Sequence, residues 1–216
     1  MKKSMRSKLG MMTLAGSVLM ASCVPTMEEP TQLQQVTESE VLANPTSSTD
    51  LNARKSVEKN YFERFANQLA QVDENGYPTF DFPAYLPGTG TGNSSHMGKA
   101  STFINQFASP GENGLGTVGA PVTQFYSEQL EALGIVVDNP EVSSVTTDGK
   151  GNSVWFKNIQ NTITASSEEK IDFEAEVEIV GGTGKFENAS GAGTVIGYFN
   201  PTNGQGMSTI QGRIEY

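Results

Sequence analysis

From residue 171 to 179 apolar and acidic side chains alternate without a break, within a strand expected over 171–180. Ile171, Phe173, Ala175, Val177 and Ile179 interleave with Asp172, Glu174, Glu176 and Glu178. Successive side chains of an extended chain point to opposite faces, so a strict period of two predicts a strand with one buried and one solvated face. Such a strand belongs in an antiparallel sheet, and the flanking sequence supplies partners. Residues 145–147 and 153–156 flank Asp148-Gly149-Lys150-Gly151-Asn152, a hairpin signal. Residues 102–107, 161–165, 193–199 and 208–216 read as further strands, the last with Ile210, Gly212, Ile214 and Tyr216 on one face. A helix is expected over 121–133, with Val122, Phe125, Tyr126, Leu130 and Leu133 on one face, opened by Pro121 and closed by Gly134. The fold class is mainly β, and this pattern fits a sandwich and a closed barrel equally well.

The N-terminal third is organised differently. Lys2, Lys3, Arg6 and Lys8 precede an uncharged, largely apolar run over 9–20, then Ala21-Ser22-Cys23. A basic start, a short apolar run and a small-residue exit predict a secretory signal over 1–22. The run is shorter than the roughly 20 residues that span a bilayer. Met20-Ala21-Ser22-Cys23 resembles a bacterial lipobox, which implies acylation of the Cys23 thiol and cleavage after Ser22. Two or three acyl chains would hold the protein on a membrane, at about 0.8 kcal/mol per buried CH₂. Val24, where Asp would signal inner-membrane retention, favours the outer membrane of a cell envelope. Residues 23–48, rich in Pro, Thr, Glu, Gln and Ser, read as a flexible tether. Within 49–76, Val57, Tyr61, Phe65, Leu69 and Val72 recur at helical spacing between charged residues, predicting an amphipathic helix capped by Asp50 and stopped by Glu74-Asn75-Gly76. Residues 77–216 are expected to form the β-barrel domain.

Charge and composition exclude several functions. The chain has 14 basic and 24 acidic side chains. Loss of the four basic residues of the signal leaves a formal charge of −14, which repels phosphate and argues against nucleic acid. Cys23 is the only cysteine and His96 the only histidine, so neither an intramolecular disulfide nor a common structural zinc site can form. No other metal and no cofactor is implied.

The tail Gly181-Gly182-Thr183-Gly184-Lys185-Phe186, followed by Ala189, Gly191 and Gly193 and by a closing strand with Gly212, Ile214 and Tyr216, resembles small secreted proteins related to the allene oxide cyclase and dirigent barrels. Gly92-Asn93-Ser94-Ser95-His96-Met97-Gly98-Lys99 is similar to an early turn of the same group. The resemblance implies a closed antiparallel β-barrel of about eight strands, whose bore holds side chains or one small ligand. Residues 108–144 depart from the pattern, with the 121–133 helix as an insertion. In the tail, Gly181, Gly182 and Gly184 would form a structural turn that permits close chain packing, and Phe186 would plug one barrel end.

Sites of reaction are scarce. Gly-Gly-Thr-Gly-Lys fails as a phosphate loop, because Ile179 stands where the first Gly is required and Phe186 where Ser or Thr is required. His96 next to Ser94 and Ser95 lacks a nucleophile-elbow context, so a structural hydrogen bond is its expected role. Asp172, Glu174, Glu176 and Glu178 make a carboxylate ladder, read as a solvated face or, alternatively, a weak cation site. The expected function is non-enzymatic: a lipid-anchored envelope protein binding a small apolar ligand or an envelope partner. A cyclase- or isomerase-like enzyme and a purely structural protein are the alternatives. A lumen lined by aromatics around a buried acid would favour binding or catalysis, and one filled by Ile, Val and Phe a structural role.

Overall fold

The computed structural model describes residues 57–111 and 114–216. The expected signal, the expected lipidation site at Cys23, the expected tether and the expected Asp50 cap lie outside the described residues. In chain order the elements are β1 (Glu58–Leu69), β2 (Ala84–Tyr85), β3 (Gly88–Ser94), β4 (Gly98–Ile104), β5 (Gln106–Gly111), β6 (Gly114–Gly119), α1 (Thr123–Ala132), β7 (Val142–Thr147), β8 (Ser153–Ser167), β9 (Lys170–Thr183), β10 (Ser190–Phe199) and β11 (Gln205–Glu215). Eight strands close a barrel in the order β1-β11-β10-β9-β8-β7-β4-β3, and β2, β5 and β6 form a small separate sheet. Every pairing in the barrel is antiparallel.

The region expected to be an N-terminal helix is β1. Tyr61, Glu63, Phe65 and Asn67 are buried, while Asn60, Phe62, Arg64, Ala66 and Gln68 face solvent. The reason is tertiary. β1 pairs with β11 from Glu58↔Glu215 to Gln68↔Gln205 and with β3 from Glu63↔Ser94 to Leu69↔Gly88. It therefore covers two edges that would otherwise stay open, and ladders on both sides outweigh a local helical preference. The stop signal after it is a turn all the same: Asp73 Oδ1 accepts from the Asn75 and Tyr77 N–H groups, both at 2.9 Å.

Elsewhere the local patterns hold. β9 contains the alternating segment, with Ala175, Val177 and Ile179 buried and Glu174, Glu176 and Glu178 exposed. β7 and β8 flank the expected turn and pair from Thr147↔Ser153 onward. The strand expected over 102–107 is divided at Asn105, its first part ending β4 and its second opening β5. α1 ends in a Schellman arrangement: Gly134, at φ +73°, donates to Glu131 O, and Ile135 to Leu130 O. Val122, Leu130 and Ile135, from α1 and its flanks, pack with Val142 and Val145 outside the bore, with Phe103, Tyr126 and Trp155 around them. This cover explains why Val145 and Thr146, on opposite faces of β7, are both buried.

The barrel interior is divided. At the end where β9 turns into β10, Phe186 and Ala189 meet Tyr61, Val154, Phe156, Val177, Ile179 and Ile214 in one apolar cluster. Phe186 sits in the single 3₁₀ turn 184–186, fully buried, its ring 4.7 Å from that of Tyr216. Close chain approach makes this plug possible: a Cβ at Gly182 would lie 2.0 Å from Ser153 O, and Gly184 adopts φ +61°.

Candidate functional site

Beyond that plug the bore is not filled. A cavity of about 110 Å³ runs from Glu63, in the middle of β1, towards Leu69, Leu86 and Phe199 at the opposite end. Its origin lies in side-chain size. Short side chains on the lumenal wall, Ser208 on β11 opposite Phe65 of β1 and Ala175 on β9 opposite Val195 of β10, leave the interior underfilled. The walls are otherwise mostly apolar, with Phe65, Phe173 and Phe199 supplying aromatic surface. An engineered apolar cavity of about 150 Å³ admits benzene, so this space suits a small molecule.

On one side of the cavity stands a carboxyl group. Glu63 is 1% exposed. Tyr61, two residues earlier and on the same face, donates its phenol proton to Oε1 of Glu63, and Thr146 of β7 donates to Oε2 at 3.1 Å. Ser94 of β3 supports the group by donating to the Tyr61 hydroxyl at 3.1 Å. Burial pushes the Glu63 carboxyl up from 4.5 to about 7, against the opposing pull of the Tyr61, Thr146 and Ser94 hydroxyls. Burial, and then the neighbouring Glu63, raise the Tyr61 phenol well above 10, so it stays a donor. Further along the same face, Asn67 Nδ2 donates to Ser208 Oγ at 2.8 Å, while Asn67 Oδ1 has no hydrogen-bond partner.

The three ion pairs found among the described residues, Lys157–Glu141, Lys170–Asp172 and Arg213–Glu58, have partly exposed side chains. Glu63 belongs to none of them. No Lys, Arg or His lines the cavity. A carboxyl group buried without a cation is unfavourable in its charged form, which is the physical content of its raised pKa. Raised acids in clefts mark functional sites more often than chance would place them there.

The residues singled out by sequence sit elsewhere. Gly181, Gly182 and Gly184 form the turn behind the plug and do not line this cavity. Glu174, Glu176 and Glu178 point outward from the barrel, and Asp172 is tied to Lys170 at 2.6 Å. Among the described residues no group of three or more His, Cys, Asp or Glu is placed to hold a metal ion. His96 occupies a turn at φ +68° with Nε2 2.9 Å from Asn60 O, a structural contact. Ser94 does not engage it. Trp155 packs on the outer cluster and Phe156 in the bore; Tyr198 is outward and Phe199 lines the cavity.

Sequence reasoning missed Tyr61, Glu63, Asn67 and Thr146. A signal was present: Tyr61-x-Glu63-x-Phe65-x-Asn67-x-Leu69 is one strand face carrying two polar residues. No protein-family model matches this chain, and neither a curated protein nor a solved structure matches it significantly. Among the described residues no helix is long and apolar enough to cross a membrane.

Proposed function

We propose that the protein is a lipid-anchored component of a bacterial envelope whose barrel binds one small, mostly apolar molecule carrying a polar group. The observation that carries this reading is the 110 Å³ lumenal cavity with Glu63 on its wall. A bore that side chains leave underfilled lowers stability, because packing is forfeited there; an acid buried beside it lowers stability further. A purely structural barrel has no use for either. The eight-stranded closure, the glycine turn and the Phe186 plug support assigning the chain to the barrels related to allene oxide cyclase and dirigent proteins. The Met20-Ala21-Ser22-Cys23 motif supports acyl anchoring at Cys23, with the outer membrane favoured.

Native mass spectrometry of protein purified from its own envelope tests the binding reading. A bound small molecule, lost when Ala175→Leu narrows the bore, is the expected outcome; repeated recovery of protein without it overturns the reading. The anchor has its own test: Cys23→Ser should release the protein from membranes and abolish labelling by an alkyne fatty acid.

A second reading rests on the same acid. A buried carboxyl with a pKa raised to about 7 on the wall of a cavity is suited to proton transfer at neutral pH, as an isomerase- or cyclase-like reaction would need. Turnover of a ligand recovered from the protein, abolished by Glu63→Gln, would favour it over simple binding.

A further inference from the structure

Resting on the binding reading, we infer that the lumen selects a small apolar amine, bound as its ammonium ion against Glu63. Glu63 is the only charged or chargeable residue on the cavity wall, and it has hydroxyl donors but no cation. The ligand is therefore the natural source of the missing positive charge. A carboxylate offers about four acceptor sites. Tyr61 and Thr146 occupy two, leaving the rest for an ammonium that brings three donors. A carboxylic acid would place a second anion beside the first, or force both groups neutral, and is disfavoured. An alcohol can donate one hydrogen bond but brings no charge. The chain's net charge of −10 adds a field that draws cations and repels anions. The size of the cavity limits the carbon skeleton to roughly that of benzene.

The groups facing Glu63 make its titration simple. Tyr61 on its own strand is held protonated by burial, Ser94 on β3 and Thr146 on β7 do not titrate, and Ile210, its partner on β11, is apolar. His96 and Lys185 lie outside the bore, joined to each other through the His96 carbonyl. An aliphatic amine stays cationic below a pH of about 10. Its binding favours the charged form of Glu63, so affinity rises as pH passes upward through about 7 and protons are released on binding below that pH.

The test is calorimetric titration of the purified full-length protein with cyclopentylamine, cyclopentanol and cyclopentanecarboxylate at pH 5.5 and pH 8. At pH 8 the amine should bind at least about tenfold more tightly than the alcohol, the carboxylate more weakly than both. At pH 5.5 the advantage of the amine should largely vanish, with proton release visible as a buffer-dependent heat. Glu63→Gln should remove the amine-to-alcohol preference. Wild-type pH dependence provides the same discrimination if that variant does not fold. An alcohol bound as tightly as the amine at pH 8, or an amine preference indifferent to pH, overturns the amine proposal while leaving lumenal binding intact. Absence of binding by all three overturns both.

Discussion

The two halves of the barrel bore are built from the same strands and treated in opposite ways. At one end Phe186, Phe156, Ile214 and Val154 fill the interior completely. At the other, Ser208 and Ala175 leave space, and Glu63 stands at the boundary between the two halves. The contrast assigns stability to the plugged half and ligand recognition to the open half. Closure makes this possible, because a barrel without free edges tolerates an underfilled interior better than an open sheet with edges to protect.

The largest effect should come from truncation within the plug. Phe186→Ala removes a fully buried ring and should cost about 3–5 kcal/mol in urea unfolding. Phe173→Ala, in the open half where the neighbourhood already holds free volume, should cost clearly less. Equal losses would erase the contrast between the halves.

Next in size is the pH dependence due to Glu63. Its folded-state value of about 7 lies above the 4.5 of the free group. The folded protein therefore holds this proton more tightly than the unfolded chain. The resulting stabilisation is fully present below about pH 4.5 relative to higher pH, declines as pH rises, and is gone above about 7. The change is on the order of 3 kcal/mol across that window. Unfolding curves at pH 5 and pH 8 should show wild type losing more stability than Glu63→Gln over the same interval. Parallel losses would show that the acid is not held away from water.

The smallest effect is expected outside the bore. Glu174, Glu176 and Glu178 are exposed on β9, and changing any one to Gln should alter stability by less than about 0.5 kcal/mol and leave ligand binding unchanged. A calcium-dependent shift in melting temperature lost in these variants would instead revive a cation site on the outer face.

How much of this was legible depends on what each strand points inward. β9 was readable because its buried face is wholly apolar, so the period of two is undiluted. The β7–β8 turn and the Gly134 stop were readable because turn chemistry is local. β1 was not. Tyr61, Phe65 and Leu69 are four residues apart, an interval that matches one helical turn approximately and two strand periods fully. The intervening residues that would have decided the matter, Glu63 and Asn67, are polar and inward. The feature that disguised the strand is the one that makes the site, which is where local rules are expected to fail.

By itself the amino-acid sequence determined the mainly β character, the alternation in β9, the helix near 123–132 and the sharp glycine turn, since each depends on neighbours a few residues away. Tertiary structure alone decided that β1 is a strand, that Glu63 faces inward to meet Thr146 83 residues away, and that side chains leave part of the bore underfilled. Those outcomes depend on closing a ring of strands distant in sequence, and a carboxyl group becomes unusual only when that ring removes it from water.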